Sequence, residues 1–160
     1  MPTIAARVWR PSSARRVLLD AFIPVARGAS AVAPPLLAWP TKDPGDVLDY
    51  QLDISPALVG NDGDSITTLD VLITPNQPGD LTLVSSAADG TSAVLWFSAG
   101  QSNTLYSVSI SIGTGNGRRI HRTIVLPVIA LSVTSASATA LRADTGFPIT
   151  DQNGNPVLAV

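Results

Sequence analysis

The feature that most constrains the fold is a regular succession of short runs in which apolar and polar residues alternate. From residue 47 onward, such runs are separated by turns rich in Gly, Pro, Asn and Asp. Runs of this length, with turns roughly every eight to twelve residues, are typical of an all-β sandwich. The sequence predicts strands at residues 47–54, 65–73, 81–85, 93–97, 104–112 and 118–131.

The composition also favours strands over long surface helices. All twelve acidic residues are Asp, and Lys42 is the only lysine. Glu and Lys are strong helix formers, so their scarcity removes the usual surface of a long helix. In their place the chain has 16 Ser and 14 Thr. It has no cysteine, which excludes disulfide scaffolds, zinc ribbons, iron–sulfur sites and thiol nucleophiles.

The clearest pair of strands is the hairpin that turns at residues 113–117. Gly and Asn at this turn adopt positive φ at little cost. In each flanking run every second residue is apolar, which places those side chains on one face of a half-buried strand. The predicted core residues of the hairpin are Tyr106, Val108, Ile110, Ile112, Ile120, Ile124, Leu126 and Val128, with Arg122 as the exception on that face.

Charge divides the chain into three zones. Residues 1–40 hold five Arg and one Asp, residues 41–117 hold nine Asp and one Lys, and residues 118–160 hold four Arg and two Asp. We predict an N-terminal arm at 1–40, a sandwich domain at 41–130, and a C-terminal arm at 131–160 that contains a small hairpin. Two alternatives stay open for the first zone. It orders against a partner, or residues 7–9 and 17–22 are strands of the main fold.

The acidic residues do not form a metal site in this reading. Asp49 and Asp53 share one face of a strand about 13 Å apart, too far to chelate one ion together. Asp43 and Asp46 are interpreted as turn residues whose carboxylates bond local amides. The run at 61–64 lacks the bidentate Glu of an EF-hand and is also interpreted as a turn. We predict no metal and no cofactor.

Catalysis is not expected either. His121 is the only histidine, and its neighbours Arg119 and Thr123 place it on the polar face of a strand. No nucleophile elbow accompanies it. The glycines of 113–117 lie between two strands rather than before a helix, so they do not form a phosphate loop. The chain is predicted not to be an enzyme.

Partner contacts are predicted at two kinds of side chain. Arg118, Arg119 and Arg122 form a basic cluster suited to bidentate pairing with carboxylates of a neighbouring subunit. Trp9 and Trp39 are interpreted as aromatic anchors in the N-terminal arm, whereas Trp96 and Tyr106 are assigned to the core. The net charge of −2 argues against nucleic acid as a partner. The longest apolar run, residues 124–131, is far too short to span a membrane.

Five stretches in order carry a family resemblance. They are residues 39–53, the turn and strand start at 61–67, the strand at 94–100, the strand at 106–108, and residues 117–119. Together they resemble the phage fibre-tail adaptor family over about residues 39–130. The chain departs from the family pattern at residues 52–54, where an aromatic often follows the Asp, and in its long terminal arms.

The resemblance implies an immunoglobulin-like antiparallel β-sandwich, to which this chain adds extended N- and C-terminal arms. It also implies a structural component of the virion of a tailed phage or prophage. Such a protein links tail or baseplate to fibres through contacts with other phage structural proteins, and is expected to form a homo-oligomer in the particle. The arms would add strands or anchors to neighbours. The alternatives are a capsid decoration or head-fibre protein and a host carbohydrate-binding module.

Overall fold

The structure is a computed structural model that describes residues 10–19, 27–28, 36–132, 143, 147, 149–155 and 157 of the 160-residue chain. Trp9, one of the two predicted aromatic anchors, lies outside the described residues. So do residues 7–9, the first of the two alternative N-terminal strands. The elements below are those of the described part.

The described residues form eight strands and two short 3₁₀ helices. In chain order these are a 3₁₀ helix at Ser13–Arg15, β1 (Arg16–Leu18), β2 (Leu37–Ala38), β3 (Leu48–Asp53), a 3₁₀ helix at Ser55–Leu58, β4 (Ile66–Thr74), β5 (Thr82–Asp89), β6 (Ser92–Ser98), β7 (Thr104–Thr114) and β8 (Arg119–Val128). Each of the six predicted runs overlaps one of the strands β3 to β8. The predicted all-β class is confirmed, and β5 extends four residues beyond the predicted end at 85.

The strands make two four-stranded sheets, ordered β1-β3-β6-β5 and β2-β8-β7-β4. The pairs among β3 to β8 are all antiparallel. In this arrangement β3 to β8 take the positions of strands B to G of an immunoglobulin domain, with B, E and D in one sheet and C, F and G in the other. The predicted immunoglobulin-like β-sandwich is therefore confirmed.

The hairpin of β7 and β8 has the predicted register and faces. Ile110 lies opposite Arg122, and Ile112 lies opposite Ile120. The turn closes with a hydrogen bond from Thr114 N to Arg118 O at 2.9 Å. The apolar residues predicted to face inward are all buried, because alternation along two long strands specifies which face meets the other sheet.

The N-terminal zone contributes to both sheets. Strand β1 pairs in parallel with β3, and β2 pairs in parallel with β8. Leu19 follows β1, is fully buried in the core, and donates its N–H to Asp53 O at 3.1 Å. Of the two alternatives for this zone, the structure therefore favours strands of the main fold around residues 16–19 and 37–39. The division at residue 40 does not separate the sandwich from what precedes it, and the arms elsewhere stay a prediction.

The turn predicted near the C-terminus is present. Asp151 N donates to Asn155 O, and Val157 N donates to Ile149 O, both at 2.8 Å. The Asp151 carboxylate also accepts the N–H groups of Asn153 and Asn155, which holds its pKa below the usual value. These contacts close the turn, and the C-terminal arm with its small hairpin stays a prediction.

Tyr106 fixes the corner between β6 and β7. Its hydroxyl accepts a hydrogen bond from Gln101 N at 2.8 Å and donates to Asp80 Oδ1 at 2.7 Å. A tyrosine near the start of this strand that bonds a few residues upstream is the tyrosine corner of immunoglobulin-like domains. The loop that it holds contains Ala99 and Asn103 at φ of 57° and 60°, so the corner sustains backbone conformations that non-glycine residues rarely adopt.

Two buried tyrosines give a matched test of this corner. Tyr106→Phe removes two hydrogen bonds, one of them to a carboxylate, and should lower the free energy of unfolding by about 1–3 kcal/mol. The Tyr50 hydroxyl is buried and bonds no described residue, and its burial raises its pKa to about 12. Tyr50→Phe should therefore leave stability within about 0.5 kcal/mol of wild type or above it. Urea denaturation of both variants measures the difference, and equal losses would contradict this assignment of the two hydroxyls.

Candidate interaction surfaces

Trp39 is part of the core and not a surface anchor. Its side chain is only 2% exposed, and its Nε1–H donates to Gln51 O at 2.9 Å. Its ring centroid lies 5.5 Å from that of Tyr50 and 5.9 Å from that of Phe97, in edge and tilted contacts. The prediction of Trp39 as a partner anchor is thus wrong, because the two-residue strand β2 carries it between the sheets.

Trp96, which the sequence assigns to the core, lies instead on the outer face of β6. In β6 the residues Ala93, Leu95 and Phe97 are fully buried and face the opposite sheet. Trp96 alternates with them and is only partly buried on the outer face of its sheet. The assignment of Trp96 to the core is wrong because strand parity, rather than side-chain size, decides which face is inside. Tyr106 was assigned correctly.

A clamp of two ion pairs fastens the N-terminal segment to β3. Arg15 Nη2 lies 2.6 Å from Asp49 Oδ1, and Arg16 pairs with Asp53. Ser12 N donates to Asp49 Oδ2 at 2.8 Å. Burial alone raises the pKa of Asp49, but the Ser12 and Arg15 hydrogen bonds outweigh it and hold that pKa below its usual value. Two arginines of the basic zone at 1–40 and two aspartates of the acidic zone at 41–117 are therefore paired within one chain.

Lys42 is fully buried at the end of the sandwich where β8 finishes. Its ammonium donates to Asp43 O at 2.7 Å and to Ala99 O at 2.8 Å, and its backbone pairs with β8 through Pro127 O. Burial lowers its pKa, and the nearby Asp46 and Asp43 charges partly restore it. The only lysine therefore joins three chain segments and is not available to a partner.

Asp43 continues this junction towards the C-terminal segment. One carboxylate oxygen accepts the Gly45 N–H at 2.8 Å, as predicted for a turn. The other accepts the N–H groups of Leu131 and Ser132 at 2.6 and 2.9 Å, and these bonds hold the pKa of Asp43 far below its usual range. Asp43 therefore holds Leu131 and Ser132 against this end of the sandwich.

Arg118 is engaged within its own chain. Its Nη1 lies 2.6 Å from Asp64 Oδ2, and its Nη2 bonds Asn61. The Asp64 side chain also accepts bonds from Thr114 Oγ1 at 2.8 Å and Asn116 N at 3.0 Å. Burial alone raises the pKa of Asp64, but these bonds outweigh it and the pKa is lowered. The turn at 61–64 therefore packs against the β7–β8 turn and stabilises it through hydrogen bonds, and Arg118 bonds two residues of the first turn.

Arg119 and Arg122 are presented differently from Arg118. Arg119 is exposed, and its guanidinium makes no ion pair or hydrogen bond with any residue that the structure describes. Arg122 is partly buried, and its Nη1 donates to His121 O at 2.7 Å. Arg119 and His121 line two open cavities, of about 410 and 500 Å³, on either side of β8. Of the predicted basic cluster, Arg119 is thus exposed to solvent, whereas the guanidinium groups of Arg118 and Arg122 bond to their own chain.

The first of these cavities contains a serine, a histidine and an aspartate without the geometry of a catalytic triad. Ser111 Oγ lies 2.8 Å from His121 Nδ1. Asp70 stands opposite Ser111 on the far strand, so the serine lies between the histidine and the aspartate. In a triad the histidine is in the middle, where the carboxylate orients it and stabilises its charged form. These three residues form a row of polar side chains on a sheet surface.

The described residues include neither a metal-binding cluster nor a membrane-spanning helix. Among them, no three His or Asp side chains are grouped so that they could hold a metal ion. None of the helices within the described ranges is long and apolar enough to cross a membrane.

Comparisons with known proteins identify a family. Among solved structures, the chain matches the "Solution structure of the PKD domain from KIAA 1837 protein" at 19% identity, over 69% of this chain and 100% of that one. The TM-score is 0.38, and neither fold nor function is assigned from this match. No curated protein matches. The profile of the family described as "Podophage GP4 fiber-tail adaptor protein gp77" matches residues 42–127, more than half of the chain. The chain belongs to this podophage fibre-tail adaptor family.

Proposed function

We propose that this protein is a structural adaptor in a phage or prophage particle, linking tail or baseplate to fibres through protein–protein contacts. Membership of the fibre-tail adaptor family over residues 42–127 is the observation that carries the proposal. The family is one of structural virion components, and the absence of catalytic activity in this chain is part of the proposal. So are its location in the virion and its presence there in several copies.

The fold suits a connector between other structural proteins. Its core joins two sheets, its N-terminal segment is held by ion pairs, and Ser132 is held by Asp43. The chain ends beyond these points then supply further contacts to neighbouring subunits.

Arg119 is the residue that we propose for direct contact with an acidic surface of a neighbour. Arg118, bonded to Asp64 and Asn61, acts as a positioning residue that keeps the turn rigid. Arg122, bonded to its own strand, lies at the rim of the same surface. The planar guanidinium offers paired donors that match a carboxylate bidentately. The net charge of −2 argues against nucleic acid as the partner.

The location of the protein tests the proposed function. Particles carrying a peptide tag at the C-terminus should show antibody or gold label at the junction of tail and fibres. Label on the capsid would instead identify a decoration or head-fibre protein. Purified protein should give no signal on a glycan array, and a reproducible signal there would favour the carbohydrate-binding module.

Charge reversal on the proposed contact surface is the corresponding mutational test. We expect Arg119→Glu to reduce incorporation into particles at least tenfold, because it places like charges opposite each other. Asp70→Asn, in the same cavity, removes a negative charge and should preserve incorporation. Both side chains are exposed, so thermal melting should be unchanged in each variant. Normal incorporation of Arg119→Glu would remove this residue from the interface.

A further inference from the structure

The four edge strands of the sandwich are not equally protected. Strands β1 and β2 span three and two residues, which leaves little backbone to template another strand. Strand β4 carries Asp70 in its middle. Strand β5 differs, because residues 85–88 are two serines and two alanines, all exposed, with no Pro and no charge before Asp89. An exposed, uncharged and regular edge of this kind is suited to pairing with another chain.

The pairing of β5 with β6 determines which backbone groups remain open. Asp89 lies opposite Ser92 across a two-residue turn, and Ala87 and Ser85 lie opposite Val94 and Trp96. In β6 the residues that face β3 alternate with these, as the bond from Ile54 N to Thr91 O indicates. The N–H and C=O groups of residues 85, 87 and 89 therefore point to β6, whereas those of Ser86 and Ala88 point outward.

The open segment has defined limits at both ends. The register of β5 shifts between Leu83 and Ser85, so the regular edge begins after Val84. At the other end the Gly90 carbonyl accepts a bond from Ile66 N at 2.9 Å. Five residues, 85–89, remain as a regular exposed edge with two outward-facing residues.

A second copy of the same segment satisfies these groups in an antiparallel register centred on Ala87. Ser86 then lies opposite Ala88 of the second copy, and two such pairs exchange four backbone hydrogen bonds. Ser85 lies opposite Asp89 of the second copy, which puts a hydroxyl donor beside a carboxylate. The two Asp89 side chains are about 13 Å apart along the strands, beyond one Debye length at physiological salt.

We propose that β5 is a self-association edge, at which two copies of the chain join their β1-β3-β6-β5 sheets into one continuous eight-stranded sheet. The two-fold axis passes through the pair of Ala87 residues. The small side chains at 85–88 allow this approach, and the pairing is isologous, so it closes at two copies. This inference deepens the self-association included in the proposed function, and names the surface on which it occurs.

The pairing is a weak one for isolated molecules. Four backbone bonds and a strip of serine and alanine bury much less area than a standard stable interface. Association is therefore expected at high protein concentration, and on a particle where neighbouring attachment holds two copies close together.

Single cysteines provide the test, because the natural chain has none. Across the proposed axis the Ala87 Cα atoms form a non-hydrogen-bonded pair about 4.5 Å apart, within the range of a disulfide. The Ser86 Cα atoms of the two copies are about 8 Å apart, beyond that range. Under mild oxidation at high protein concentration, Ala87→Cys should give disulfide-linked dimer at least fivefold faster than Ser86→Cys. Equal rates, or faster linkage of Ser86→Cys, would overturn the proposal.

A second pair of variants tests the backbone bonds directly. In the Ala87→Cys background, Ala88→Pro removes an outward N–H that bonds no residue the structure describes, and should reduce the linkage rate to that of Ser86→Cys. Ala88→Val keeps the N–H and should retain rapid linkage. Retention of rapid linkage by Ala88→Pro would also overturn the proposal. Thermal melting of each variant monitors the fold. Because purified protein is used, the result is independent of where the protein lies on the particle.

Discussion

Replacement of Trp39 by alanine is expected to lower the free energy of unfolding by about 3–5 kcal/mol. The ring is 2% exposed and packs against Tyr50 and Phe97, so its removal leaves a cavity between the two sheets. It also leaves the Gln51 carbonyl without the Nε1–H that it accepts. Domains of this size have roughly 5–15 kcal/mol of stability, so the loss is a large fraction of the whole. Urea denaturation followed by far-UV circular dichroism measures it.

Trp39→Phe is the matched control. It keeps an aromatic ring in the core and loses only the indole N–H and part of the volume, so we expect a loss of about 1–3 kcal/mol, smaller than for alanine. If Trp39→Ala melts like wild type and fails only to enter particles, the residue is an interface anchor and its position in the core is wrong.

The parts of the fold that sequence alone predicts are those specified by local pattern. Strands β7 and β8 alternate along their whole length and are joined by a glycine-rich turn, so their pairing and faces follow from the sequence. The turns at Asp43 and at 61–64 are likewise recognisable from residue type. In each case the structural information lies within a few residues of the position that it determines.

The N-terminal zone was harder to predict because its contacts are distant in sequence. Arg15 and Asp49 are 34 residues apart, and Arg16 and Asp53 are 37 apart. The strand that leads to Trp39 has two residues, too few for alternation to appear, and its parallel pairing with β8 joins opposite parts of the chain. A Pro-rich segment with isolated apolar residues has the same local pattern whether or not it docks on a sheet.

The interaction surfaces likewise depend partly on local sequence and partly on contacts that only the fold shows. The basic cluster is visible in the sequence, but only the fold shows that Asp64 engages Arg118 and that Arg119 remains exposed. The open edge of β5 is invisible as a site, because serine and alanine carry no chemical signal. Its significance comes from its position at the end of a sheet and from the direction of its backbone groups.

Deletion of residues 1–38 is expected to leave a chain that is already unfolded at 25 °C. It should therefore show no cooperative unfolding transition on heating. The deletion removes β1 and β2 entirely, and it takes Leu19 out of the core. It also leaves the largely buried carboxylates of Asp49 and Asp53 without their arginine partners. A buried carboxylate that loses its partner destabilises the fold, and here two such carboxylates lose their arginines together with core packing. Differential scanning calorimetry of the truncated and full-length chains makes the comparison.

Two adjacent leucines separate a structural role of this segment from a contact role. Leu19 is fully buried, so Leu19→Ala should lower the free energy of unfolding by about 2–5 kcal/mol. Leu18 is 48% exposed, so Leu18→Ala should change it by no more than about 1 kcal/mol. A large loss for Leu19 and a small one for Leu18 places the segment in the sandwich, because an arm that only touches partners would leave both isolated variants as stable as wild type. A truncated chain that melts like the full-length protein would reverse this conclusion and make residues 1–38 an arm dispensable for folding.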